Sequence, residues 1–221
     1  KSILIMADIH IIDSIRLNHK GLRVLDEERK WVNLHKQQGD LDGACAVYSL
    51  VMALLCKGLL ADSDTQIFNT PNRRTHKGKF LYHFFNEKGL IQEGYSFKTL
   101  AKEINESSFD VVATRKDPRT DEGKVNLITE YLDMDIPVII SVKYDDKSGH
   151  ALLAIGVEKD QNNVITKILC LDPGFPRPKC AIWNSYIEVP KSPKSDKPYK
   201  YVREDRDIKV WLDDMLIIDG E

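Results

Sequence analysis

The sequence predicts an α+β protein in which a helical N-terminal lobe, with a buried helix at its centre, packs on a C-terminal antiparallel β-sheet. Three observations carry this expectation. Ala44–Lys57 is apolar on nearly every face and stops at Gly58, as a buried helix stopped by a glycine would be. Most segments before Pro137 space their apolar residues as helices do. Beyond Pro137 the texture changes to short β-branched runs separated by Gly, Pro, Asn or Asp.

Taken in order, Ile15–Leu34 mixes apolar and charged positions at roughly helical spacing, weakened by Gly21 in its middle. Ala44–Lys57 is the buried helix. Lys79–Lys88 and Ser96–Asn105 read as amphipathic helices near the punctuating Gly89 and Gly94. Phe109–Thr114 reads as a short strand and Lys124–Asp133 as a further helix. The runs Val138–Val142, Ala151–Val157, Val164–Leu171, Ala181–Val189 and Val210–Ile218 suggest a meandering antiparallel sheet. Lys191–Lys200, with Pro193 and Pro198, reads as an exposed loop with Tyr199 and Tyr201 beside it. The expected organisation is one domain over 1–221, with 1–35 as an N-terminal extension, 36–135 as the helical lobe and 136–221 as the sheet lobe.

Composition narrows the function classes. The 221 residues are 42% apolar and 30% charged, with a formal net charge of −2. That balance gives no global attraction to nucleic acid or to anionic membranes. No apolar run approaches the ~20 residues of a membrane span, and the start of the chain lacks a secretory pattern. Lys1 in place of a methionine suggests a processed product or a piece of a longer protein. Cys45, Cys56, Cys170 and Cys180 form no regular framework and no C-x-x-C, which points to a reducing, cytoplasmic setting and away from structural zinc.

Three segments carry chemistry. In Gln37-Gln38-Gly39-Asp40-Leu41-Asp42-Gly43-Ala44-Cys45, a cysteine opens the buried helix. The free N–H groups and partial positive charge of a helix N-terminus favour the thiolate, and the Cys45 N–H can face an oxyanion. Gln38, or its neighbour Gln37, could supply a second donor. In Ser148-Gly149-His150-Ala151 a histidine opens an apolar strand, fixed by backbone yet accessible, as a base must be. In Leu171-Asp172-Pro173-Gly174 a carboxylate closes the next strand. If these two strands pair as a hairpin, His150 and Asp172 meet at one end of it. Asp172 then holds one imidazole nitrogen and the other faces the thiol. Cys56, near the far end of the same helix, has no such surroundings and reads as core. The basic cluster Arg73–Lys79 reads as a solvated loop and helix start. His76 and His83, seven apart, lack an evident carboxylate or cysteine companion, so no metal is expected.

In this Gln38…Cys45, Gly149-His150 and Asp172-Pro173 pattern the chain resembles the papain-like cysteine peptidases, and among them the bacterial double-glycine peptidases that process bacteriocin leaders. It departs from the latter in reading Asp42-Gly43-Ala44-Cys45 where they usually show Asp-Cys-Gly. The resemblance implies a papain-like fold, with Cys45 as nucleophile, His150 as general base, Asp172 as orienting carboxylate and Gln38 as oxyanion donor. It implies a thiol protease without a cofactor, acting on a protein or peptide. Deamidase, transglutaminase and acyltransferase chemistry would use the same apparatus. Effector or toxin domains delivered into a target cell, countered by a cognate inhibitor or immunity protein, are a variant of this expectation. A non-catalytic binding module of the same fold is the rival from another class.

Overall fold

The first surprise lies where a helix was expected. In the computed structural model, which describes residues 7–39, 44–66, 70–87, 95–146, 148–191 and 196–220, Ile15–Leu34 is a small antiparallel sheet. Strand β1 (Asp8–Ile11) precedes β2 (Ile15–Asn18), β3 (Gly21–Leu25) and β4 (Trp31–Asn33), the last three of which pair in that order. The physical reason is a period of two. Leu22 and Val24 are buried with Arg23 between them, and Val32 and Leu34 repeat the pattern. The turns also need left-handed backbone, at Gly21 (φ 99) and at Arg29 (φ 61), which a continuous helix would not contain.

The helices follow: α1 (Cys45–Cys56), α2 (His76–Tyr82), which continues as a π-helical turn over His83–Glu87, then α3 (Phe97–Glu106). Ser96 caps α3 and Thr75 caps α2, each accepting a hydrogen bond from the N–H of the third helical residue. Strand β5 (Val111–Lys116) and helix α4 (Asp121–Asp133), capped by Thr120, complete the first half.

The remaining strands are β6 (Val138–Lys143), β7 (Gly149–Lys159), β8 (Ile165–Leu171), β9 (Ser185–Glu188), β10 (Tyr199–Arg203) and β11 (Arg206–Gly220). Each pairs antiparallel with the next, and β11 pairs back on β6, so the six close on themselves. Strand β1 adds to β7 and β5 to β11. Closure depends on β11, whose register shifts between Leu212 and Met215. This bulge lets one long strand serve β10 near its start and β5 near its end. Two carboxylates lie in it, Asp213 bound to Lys143 at 2.9 Å and Asp214 bound to Arg115 at 2.5 Å.

The expected architecture is therefore corrected. The protein is mostly a closed six-stranded antiparallel barrel with two extra strands and few helices, not a helical lobe packed on a sheet. The strands beyond Pro137 meander, but their curl into a barrel needs the β6–β11 pairing across some 70 residues, which local patterning cannot announce. Tyr199–Arg203, read as loop and flank, is a barrel strand with Tyr199 and Tyr201 buried.

Helix α1 lies against β7 and β6. Leu50, Met52, Leu54 and Leu55 are fully buried there, each such side chain contributing roughly 1.5–3 kcal/mol. Because neighbouring strands alternate in direction, the ends of β6, β8 and β10 share one rim of the barrel with the starts of β7, β9 and β11. The residues of interest collect at this rim. Among the described residues no helix is long and apolar enough to cross a membrane.

Candidate active site

Helix α1 begins at Ala44, which offers no side-chain cap, so the N–H groups of its first turn are not taken by one. Cys45 is the first helical residue. Its sulfur accepts from the Ala151 N–H of β7 at 3.4 Å and from the Ala46 N–H, and it is hydrogen-bonded to the His150 ring. Burial raises the thiol pKa. The His150 hydrogen bond and charge, then the two backbone donors, outweigh it and leave Cys45 below its ordinary value.

His150 is the second residue of β7, and Asp172 follows the last residue of β8. The two strands do pair as a hairpin around Asp160–Asn163. His150 Nε2 donates to Asp172 Oδ1 at 2.5 Å, which leaves Nδ1 for the thiol. Burial would lower the His150 pKa. The carboxylate and the cysteine reverse that and push it up to about 10. Asp172 shows the mirror image: burial raises it, and hydrogen bonds from His150, Tyr201 and the Gly174 N–H bring it down to about 2. Asp172 is fully buried, so its charge is stable there only because its oxygens are hydrogen-bonded.

Its hydrogen bonds account for both oxygens. Oδ1 receives His150 and the Gly174 N–H at 2.7 Å, while Oδ2 receives the Tyr201 hydroxyl and, at 3.4 Å, Arg203. A Cβ on Gly174 would sit 3.3 Å from the His150 ring, so this turn lets the backbone approach the imidazole closely. Asn184 holds the same turn from outside, accepting from the Asp172 N–H at 2.7 Å and donating to the carbonyls of Asp172 and Pro176 at 2.9 and 3.1 Å.

Gln38 reaches the site by its backbone. The buried His35 donates from Nε2 to the Asp172 carbonyl at 2.9 Å, and the Gln38 N–H donates to the Pro173 carbonyl at 2.9 Å. These two bonds lay segment 35–38 along the Asp172–Pro173 turn. Gln38 is half-buried there while Gln37 is exposed. The loop that would fold back between Gln38 and Cys45, residues 40–43, lies outside the described residues.

The structure thus brings Cys45, His150 and Asp172 into one hydrogen-bonded chain and sets the Gln38 backbone beside it. No family model matches the sequence, and comparison with curated proteins finds no match. The reading of this site therefore rests on its own geometry.

Sequence reasoning missed Tyr201, Arg203, Asn184 and His35. Tyr201 and Arg203 alternate with Val202 along β10, a signal hidden by the basic loop before them. Asn184 and His35 carry no local signature. The other cysteines differ sharply from Cys45: burial pushes Cys56 up to about 12 and Cys170 well above its ordinary value, while Cys180 is exposed. The basic cluster is engaged within the protein, Arg73 over the Tyr82 ring at 4.2 Å and Lys77 with Glu27 at 2.5 Å. His83 does have carboxylate companions, Glu103 at 3.0 Å and Glu87 at 3.4 Å, brought in by α3 and the π-helical turn. Even so, no group of three or more His, Cys, Asp or Glu among the described residues is arranged to hold a metal.

Proposed function

We propose that this protein is a cysteine-dependent acyl hydrolase whose substrate is a protein or peptide amide. One observation carries the reading: the Cys45 thiol at an uncapped helix start is bonded to a histidine whose far nitrogen is held at 2.5 Å by a fully buried carboxylate. A buried His–Asp pair can be merely structural. Here the pair meets a thiol at a helix start that also collects two backbone donors, the surroundings a thiolate nucleophile needs. The order Cys…His…Asp, shared with the papain-like peptidases, supports the same chemistry.

In this scheme the Cys45 thiolate attacks the acyl carbon, forming the C–S bond, and charge develops on the carbonyl oxygen. The Cys45 N–H and the Gln38 amide are the donors assigned to that oxygen. Protonated His150 gives its Nδ1 proton to the leaving amine as the C–N bond breaks. Water then attacks the thioester, losing its proton to His150, and the acid departs with return of the thiolate. Asp172 keeps Nε2 occupied throughout, so the catalytic nitrogen stays turned to the sulfur.

The test is intact-mass analysis after brief treatment with iodoacetamide near neutral pH, followed by peptide mapping. A single fast adduct at Cys45 is expected, ahead of the exposed Cys180. Alkylation of Cys45 no faster than Cys180 would overturn the reading. Peptide-amide cleavage that persists in Cys45→Ala would do so as well.

A further inference from the structure

Asp172 can orient His150 only if it cannot itself turn. A carboxylate rotates about its Cβ–Cγ bond and offers two equivalent oxygens, so a histidine held by one of them is held no better than the carboxylate plane. We propose that Tyr201 is the positioning residue of this site, its hydroxyl fixing which oxygen of Asp172 meets His150. The proposal rests on the acyl-hydrolase reading and adds a residue to it.

Four observations support it. The Tyr201 hydroxyl donates to Oδ2, the oxygen that His150 does not use. Tyr201 is 1% exposed inside the barrel, so its ring is held by packing rather than by this bond. Burial, then the neighbouring Asp172, pushes the Tyr201 pKa far above its ordinary value, so the hydroxyl remains a donor at any working pH. The other group on Oδ2, Arg203, is largely engaged elsewhere. Its guanidinium is bidentate to Asp205 at 2.5 and 3.0 Å, lies 5.0 Å from the Phe175 ring, and reaches Asp172 only at 3.4 Å.

The charged and titratable groups facing Asp172 come from every side of the rim. They are His150 from β7, with Cys45 from α1 on its other side, Tyr201 and Arg203 from β10, Cys170 from β8, Tyr144 after β6, and His35 on its carbonyl. His35 is kept below its ordinary pKa by burial, and Tyr144 is raised to about 12 by burial and then by Asp172.

The experiment is the pH profile of Cys45 alkylation by iodoacetamide in wild type, Tyr201→Phe, Asp172→Asn and the double variant. Tyr201→Phe keeps the ring and removes only the hydroxyl. With Oδ2 released, the Gly174 N–H on Oδ1 and the distant Arg203 are left to hold the carboxylate plane, and the imidazolium's anchor weakens. The acid limb of the profile should then move alkaline by about one pH unit, the scale of one charge-assisted hydrogen bond. In the Asp172→Asn background the same change should add nothing, because Tyr201 acts through Asp172. Ile187→Val, a barrel substitution distant in role, controls for lost stability and should lower the melting temperature without moving the limb. A Tyr201→Phe profile superimposed on wild type, or a shift that survives in Asp172→Asn, overturns the proposal and leaves the acyl-hydrolase reading intact. A wild-type Cys45 no more reactive than Cys180 overturns both.

Discussion

Helix α1 carries a cysteine at each end, and the two thiols share a residue type, a helix and a hydrophobic setting. Cys45 stands at the N-terminus, where free N–H groups, the Ala151 N–H and His150 surround its sulfur and lower its pKa. Cys56 stands at the C-terminus. Burial pushes it up to about 12. Burial opposes ionisation at both ends. The decisive difference is what the barrel rim supplies, since only one end of the helix meets hydrogen-bond donors backed by a buried carboxylate.

The sharpest way to break this comparison is to remove the sulfur. Cys45→Ala should fold as wild type and lose acyl hydrolysis by roughly 10⁶-fold, measured on a panel of peptide amides. Asp172→Asn comes next. It keeps the shape of the buried group but leaves the imidazole poorly anchored, and should cost on the order of 10⁴-fold in turnover. Its effect on alkylation of Cys56 should be nil, which separates a site effect from unfolding.

A third prediction concerns Gln38. Loss of one oxyanion donor costs about 10²–10³ in turnover elsewhere. Gln38→Ala should keep its reactive thiol and hydrolyse at least about tenfold more slowly, a floor below that range, while the exposed Gln37→Ala stays near wild type. A reversed pattern would assign the donor to Gln37.

Stability should carry the same signature of charge. Asp172 is depressed from 3.8 to about 2, so its contribution is present above 3.8 and fades as pH falls through about 2. His150 is raised from 6.5 to about 10, so its contribution is present below 6.5 and fades as pH rises through about 10. Chemical denaturation across pH should show both flanks in wild type and a flatter acid flank in Asp172→Asn. Smallest of all, Cys56→Ala should cost about 1 kcal/mol for a small buried vacancy and leave the Cys45 alkylation rate unchanged.

The site was more legible than the fold that holds it. A cysteine opening a buried helix, a histidine opening one strand and an aspartate closing the next are local patterns, and hairpin pairing alone brings two of them together. The barrel was hidden because its closure is a pairing of β6 with β11, distant in sequence. The N-terminal sheet was misread because three short strands, each of three to five residues, mimic helical spacing when run together. Tyr201 and Asn184 were unreadable for a related reason: what each does depends on a partner supplied by another strand.

The order of the strands along the chain sets when the rim can assemble. Cys45, His150 and Asp172 all precede β10, which brings the hydroxyl that holds Asp172, and β11, which closes the ring against β6. The surroundings that distinguish Cys45 from Cys56 therefore belong to the closed barrel and not to helix α1 alone.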